Sequence, residues 1–267
     1  MQLIIFWAIG LYVLLLVGFY FFQEIVIIHP VKLSKDAVYS FDNNPNFKEI
    51  NLNPESNITL NTLYFASETN EKKGIVLYFH GNADNLARWG KHAHDFTKHG
   101  YDVLMYDYRG FGKSTGSFSE EKYHQDAQFA YQYISKSFAP ENIIIYGRSL
   151  GTGIATKLAS ENKAKMLILE TPYYNFIDVS RSFLPILPFE KILRYTFRTD
   201  LWITHVKYPI HIFHGTSDWV VPYRSSVQLV NLLQQDQNKI LTTIEGGGHK
   251  NLADFELYHR DLAKVLK

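Results

Sequence analysis

No cysteine occurs among the 267 residues of this chain. That absence excludes disulfide staples, thiolate metal sites and a cysteine nucleophile together. Charge of a dominant sign is missing too: 27 Lys and Arg stand against 26 Asp and Glu, for a formal net charge of +1. Nothing in this balance argues for nucleic acid as a partner. The 11 histidines contain no His-Glu-x-x-His pair, so the sequence gives a resident metal no support. There is no internal repeat and, past the N-terminus, no low-complexity segment. What remains is an ordinary globular share of apolar residues, 46%, and enough length for one sizeable α/β domain.

Leu3 to Phe22 carries no charged side chain, and only Gly10 and Gly18 interrupt its apolar and aromatic residues. A helix of about 20 residues reaches ~30 Å, the thickness of a bilayer's hydrocarbon core. No Lys or Arg precedes the run and no Ala-x-Ala follows it, which favours an uncleaved anchor over residues 1–24 rather than a signal peptide. Lys32 and Lys35 on the C-terminal flank place the soluble part on the cytoplasmic side by the positive-inside rule. Residues 25–46, with Pro30, Pro45 and Asp42-Asn43-Asn44, read as a connector to a domain over 47–267.

Apolar and polar residues alternate over 47–52 and 58–66, as in half-exposed antiparallel strands joined by a turn at 53–57. From Gly74 the rhythm changes to continuous apolar runs at 75–79, 103–106, 143–146, 166–169, 210–213 and 240–244, the mark of strands covered on both faces. Between them, apolar residues recur at helical spacing: Leu86, Trp89, Ala93 and Phe96; Tyr123, Ala127, Ala130 and Ile134; 227–233; and Leu252, Phe255, Tyr258 and Leu262. This alternation predicts a mostly parallel, doubly wound sheet. The stretch 174–208 breaks the alternation and reads as a short lid. Its Phe183-Leu184-Pro185-Ile186-Leu187-Pro188-Phe189 segment suits either packing on the sheet edge or an acyl-binding wall or bilayer-facing surface. Arg181, Lys191, Arg194 and Arg198 are either solvated or directed at anionic head groups.

The run 143–146 leads into Gly147-Arg148-Ser149-Leu150-Gly151, and a helix-permitting segment follows at once. Strand, sharp turn with serine at its apex, then helix is the pattern of a nucleophile elbow. A serine hydroxyl is a poor nucleophile at neutral pH and needs a base, which in turn needs an orienting group. In an open α/β sheet these groups sit in loops at the carboxyl ends of strands. Asp218 follows the strand at 210–213, and His249 follows three glycines after the last strand. The order Ser149, Asp218, His249 is the one this architecture requires. A loop aspartate also commonly caps its own turn, here before Val220 and Val221. Glu170, at the end of the 166–169 strand, is a second candidate acid. The oxyanion hole is expected from the backbone N–H groups of Leu150 and Asn82, with Ala83 as the alternative to Asn82. His80 suits loop packing better than a base role. Gly110-Phe111-Gly112-Lys113-Ser114-Thr115 imitates a P-loop, but Asp107 stands where the first glycine is needed.

With these residues in hand, the chain resembles the α/β-hydrolase superfamily from about residue 47 onward. His80-Gly81-Asn82-Ala83, Tyr108-Arg109-Gly110-Phe111-Gly112, Gly147-Arg148-Ser149-Leu150-Gly151 and His214-Gly215-Thr216-Ser217-Asp218 look like the membrane-anchored, ABHD-like members of it. That resemblance implies a serine hydrolase acting on carboxylic esters or thioesters of small or lipid-derived acyl substrates, with no cofactor. It is also similar to domains called serine aminopeptidases, which would make the substrate a peptide. A non-catalytic membrane scaffold is the remaining reading, and an intact set of triad positions argues against it.

Overall fold

The computed structural model describes residues 1–43, 46–233 and 238–267. Asn44 and Pro45 of the expected connector lie outside the described residues. One sheet of eight strands organises the domain: β1 (Phe47–Glu55), β2 (Ile58–Phe65), β3 (Gly74–Phe79), β4 (Tyr101–Tyr106), β5 (Ile143–Arg148), β6 (Met166–Glu170), β7 (Ile210–Gly215) and β8 (Lys239–Ile244). Their order is β8-β7-β6-β5-β3-β4-β2-β1, parallel from β8 through β4, with β2 antiparallel to both its neighbours.

Successive residues of a strand point to opposite faces, and both faces of β3 are apolar. Ile75, Leu77 and Phe79 join one buried cluster while Val76 and Tyr78 join the other. The first cluster is completed by α2 (Glu120–Ile134), α3 (Leu150–Glu161) and α6 (Arg224–Leu232), through Tyr123, Ile154 and Leu229 among others. The turns at 86–97 and α7 (Glu256–Val265) cover the other face through Leu86, Phe96, Tyr258 and Leu262. Each fully buried aliphatic side chain is worth ~1.5–3 kcal/mol. A helix-surface ion pair such as Lys157 with Glu161 contributes only ~0.3–0.5 kcal/mol. Core burial, not surface charge, therefore sets the layering.

One expectation is corrected. The helical spacing at 86–96 does not make one helix but three short pieces, Leu86–Trp89, Gly90–Ala93 and His94–Thr97, the middle one a 3₁₀ turn. The break falls at Gly90, where the Phe41 ring lies 2.3 Å from where a Cβ would stand. Phe41 belongs to the stretch read as a connector, and described parts of that stretch dock onto the domain. Tyr39 and Phe41 are buried, the Tyr39 hydroxyl donates to Asn61 Oδ1 at 2.7 Å, and His29–Pro30 forms a short parallel bridge with Ala83–Asp84.

The P-loop look-alike has a structural role of the same kind. Ser114 Oγ accepts from the Asn61 N–H at 2.8 Å and donates to the Asp107 carbonyl at 2.6 Å, while Lys113 pairs with Glu49. The loop fastens the β1–β2 hairpin to the end of β4.

The N-terminal run forms α1 (Gln2–Ile27), a helix of 26 residues whose Gln2–Ile25 portion is long and apolar enough to cross a membrane. It continues three residues beyond the expected anchor boundary at 24. Between β6 and β7 the chain forms the lid, which includes α4 (Phe176–Phe183) and α5 (Phe189–Ile192). Asn175 caps α4 by accepting from the Asp178 N–H at 2.9 Å. The Glu120 carboxylate accepts from the N–H groups of Thr196 and Phe197 at 2.8 and 2.9 Å, tying the far end of the lid to α2.

Candidate active site

Ser149 joins β5 to α3 with φ +51° and ψ −117°. Such a backbone is costly for a residue with a Cβ and persists only where its surroundings enforce it. Here the enforcement is visible. The Ser149 N–H donates to the Glu170 carbonyl at 3.0 Å. A Cβ on Gly151 would stand 2.1 Å from the Phe79 carbonyl, and one on Gly147 would stand 2.5 Å from the Gly151 carbonyl. Only glycine at both positions lets the turn close against β3, and the closed turn pushes the serine hydroxyl out at the carboxyl edge of the sheet.

Three sequence-predicted side chains meet there. Ser149 Oγ lies 2.8 Å from His249 Nε2, and His249 Nδ1 lies 2.8 Å from Asp218 Oδ2. The second contact requires a proton on Nδ1, because a carboxylate only accepts, which leaves Nε2 free to take one from the hydroxyl. Asp218 also does what a loop aspartate ordinarily does: its Oδ1 accepts from the N–H groups of Val220 and Val221 at 2.9 and 2.8 Å. Capping and orienting are one job divided between two oxygens.

Burial alone would raise the Asp218 carboxyl, but hydrogen bonds from His214 and His249 outweigh it and hold the group well below the usual carboxylate range. His214 was not singled out by sequence reasoning. It is fully buried, with Nε2 3.2 Å from Asp218 Oδ2 and Nδ1 2.6 Å from Ser226 Oγ. Its position four residues before Asp218, on the same strand end, was the available signal.

Because the folded-state value is depressed, the stability Asp218 contributes is complete above the unfolded value near 4 and is lost as pH falls below it. Thermal midpoints of wild type and Asp218→Asn should therefore converge below about pH 4. A gap that stays constant down to acid denaturation would contradict this.

Glu170, the second candidate acid, does not face His249. Its carboxylate is buried with the Arg148 guanidinium at 3.1 Å and accepts from the hydroxyls of Tyr146 and Tyr258. Arg148 in turn donates to the Lys250 carbonyl at 3.2 Å and lies over the Trp89 ring. The pair braces the elbow against the loop that carries His249, a role the motif pattern did not reveal. His80 is buried, its ring tilted against Tyr108 with centroids 4.2 Å apart and its Nε2 3.5 Å from Asp107, which agrees with packing.

Ser149 opens onto a cleft of about 450 Å³ lined mainly by apolar side chains. Leu150, Val220 and Val221 line it from the sheet's loops and α3, and Phe176, Val179, Phe183, Leu184 and Phe189 come from the lid. Asn82 lines the cleft too, and the adjacent Gly81 brings the 81–82 loop over Ser149, with a Cβ there only 3.7 Å from the serine Cβ. The Asn82 side chain is anchored by the Ile27 carbonyl and the His29 N–H. The lid arginines have carboxylate partners: Arg181 pairs with Glu190, Arg194 with Glu24 and Arg198 with Asp200.

The chain is similar to several known proteins. Residues 70–198 match the family described as "Serine aminopeptidase, S33". The chain is 34% identical over 190 residues to a lysophosphatidylserine lipase, ABHD12, of Danio rerio, covering 61% of this chain and 48% of that protein. It thus spans about half the length of these relatives. An uncharacterised protein of Acanthamoeba polyphaga mimivirus is 29% identical over 248 residues, covering 84% of this chain and 83% of that one. Among solved structures, the Pyrococcus furiosus esterase Pf2001 superposes with a TM-score of 0.69 at 19% identity, covering 90% of this chain and 96% of that one. Est1E from Butyrivibrio proteoclasticus gives 0.66 at 20% identity, over 82% and 97%. At these identities the two structures speak for the fold.

Proposed function

We propose that this chain, whose residues 70–198 match the family described as "Serine aminopeptidase, S33", is an α/β hydrolase: a membrane-anchored serine hydrolase that cleaves carboxylic ester or thioester bonds of lipid-derived acyl groups. The observation that carries this reading is the unbroken hydrogen-bond path from Asp218 through His249 to Ser149 at the mouth of an apolar cleft. Ser149 Oγ attacks the acyl carbonyl as His249 Nε2 takes its proton. Asp218 holds the ring in the required tautomer and stabilises it once charged. The tetrahedral oxyanion is received by the N–H groups of Leu150 and Asn82. Leu150 opens α3, where the first N–H groups lack intrahelical partners and the helix dipole favours negative charge. The protonated His249 then supplies the leaving group's proton, and water, deprotonated by the same ring, releases the acid and regenerates Ser149.

The apolar lining suits an acyl chain rather than a charged group, and α1 suits a substrate that resides in membranes. Proteins named lysophosphatidylserine lipase are among the relatives, so a lysophospholipid is the first natural-type substrate to assay. Lys32 and Lys35 direct the domain to the cytoplasmic side. A peptidase reading on the same triad is favoured by the description of the matched family. The full chain in phosphatidylcholine vesicles, offered p-nitrophenyl esters, acyl thioesters, lysophosphatidylserine and aminoacyl-nitroanilides, separates the two. Ester or thioester turnover with no anilide cleavage is expected. Protein that turns over none of them and resists a fluorophosphonate probe would sink the proposal.

A further inference from the structure

The helix expected to serve as a tether reaches the substrate cleft. Phe19 and Ile27, both from α1, line the same cleft as Ser149. The Phe19 ring meets Phe189 of the lid edge-on, with centroids 5.4 Å apart. One helical turn further on, Gln23 is completely buried, an unusual position for a primary amide. Its Nε2 donates to the carbonyls of Tyr20 at 2.9 Å and Ile192 at 3.1 Å, and its Oε1 accepts from the Arg194 N–H at 2.8 Å. The amide thus pairs with a donor and an acceptor of the lid's own main chain, as a neighbouring strand would. Glu24 adds the Arg194 guanidinium at 3.2 Å and the Tyr195 hydroxyl. Tyr12 donates to the Ile186 carbonyl at 2.9 Å.

A helix that only holds a protein at a membrane needs no fixed rotation about its axis, and an all-apolar one has none. Here a buried amide with fixed partners sets the rotation, and the face so presented carries Phe19 into the cleft. Phe21, on another face, is 67% exposed. We propose that α1 is a specificity-determining wall of the substrate cleft: Phe19 limits the length of acyl chain accepted, and Gln23 holds the helix against the lid. This rests on the ester-hydrolase reading for its kinetic consequence and on the contacts alone for its geometry.

The test uses the full chain in phosphatidylcholine vesicles and p-nitrophenyl esters from acetate to palmitate. A bulkier ring at the wall shortens the cleft, and a pocket that must exclude or admit a methylene or two discriminates by roughly 10- to 200-fold. Phe19→Trp should therefore lower the palmitate-to-acetate ratio of kcat/KM by about tenfold or more. Phe21→Trp should leave that ratio as in wild type. An unchanged ratio in Phe19→Trp, beside an active wild type, overturns the specificity role. Because the chain lacks cysteine, the geometry has its own readout. Phe19→Cys with Phe189→Cys should be joined by a short bismaleimide in vesicles, and Phe21→Cys with Phe189→Cys should not. Equal crosslinking of both pairs, or of neither, overturns the placement of the helix. Wild type that cleaves no ester of the series overturns the specificity role together with the hydrolase reading, while the crosslink still decides the wall.

Discussion

Replacing Ser149 with alanine is expected to lower kcat on p-nitrophenyl esters by a factor on the order of 10⁵–10⁶ and to abolish fluorophosphonate labelling. The loss is large because the hydroxyl is the only atom of the site that forms the acyl bond. What activity survives comes from the oxyanion donors and from holding the ester in the cleft. Stability should barely move. Alanine has the same Cβ as serine, so the φ of +51° costs both residues alike. The one interaction lost is the hydrogen bond to His249, worth about 1 kcal/mol or less at a partly open position. Activity lost together with the fold would mean that the elbow, rather than the hydroxyl, had been damaged. Retained labelling would remove Ser149 from the mechanism.

Glu170→Gln should have the opposite signature. Removing one partner of a buried ion pair strands the other charge, at a cost of roughly 3–5 kcal/mol. Arg148 would be the stranded charge, with Glu170 1% and Arg148 6% exposed at the side chain. Tyr146 and Tyr258 would also share a weaker acceptor. A marked fall in the thermal midpoint is expected, with kcat per folded molecule changed less than about tenfold. Should kcat instead collapse by ~10⁴ with the midpoint unmoved, the outcome for a group orienting the catalytic base, the acid of the triad would be Glu170 rather than Asp218. Arg148→Lys checks the brace from the other side. A lysine keeps the charge but not the geometry that spans Glu170 and the Lys250 carbonyl, so part of the same stability loss should appear.

The sheet and the elbow were legible because each rests on local, repeated signals. Continuous apolar runs mark strands buried on both faces, and Gly147 and Gly151 are required by contacts within a few ångströms of Ser149. Asp218 and His249 were legible from their places at strand ends. Partner choice was harder to read. Glu170 looked like an alternative acid because its strand end is right, and only the positions of Arg148, Tyr146 and Tyr258 show where its carboxylate goes. The break at Gly90 depends on Phe41, far away in sequence. Least legible was the docking of α1. A helix that is apolar over most of its length has no periodicity to show which face meets protein, and Gln23 and Glu24 near its end were the polar clues.

The contacts of α1 with the lid, from Tyr12 through Phe19 to Gln23 and Glu24, are spread over about three helical turns. Helices ordinarily answer a thicker or thinner bilayer by tilting, and a loose junction keeps that tilt from the soluble part. Among the described residues α1 meets the lid directly, and the lid is itself tied to α2 by Glu120. Were α1 to span a bilayer, hydrophobic mismatch would be taken up by leaning of the whole domain, and membrane thickness would set the angle at which the cleft faces the lipid.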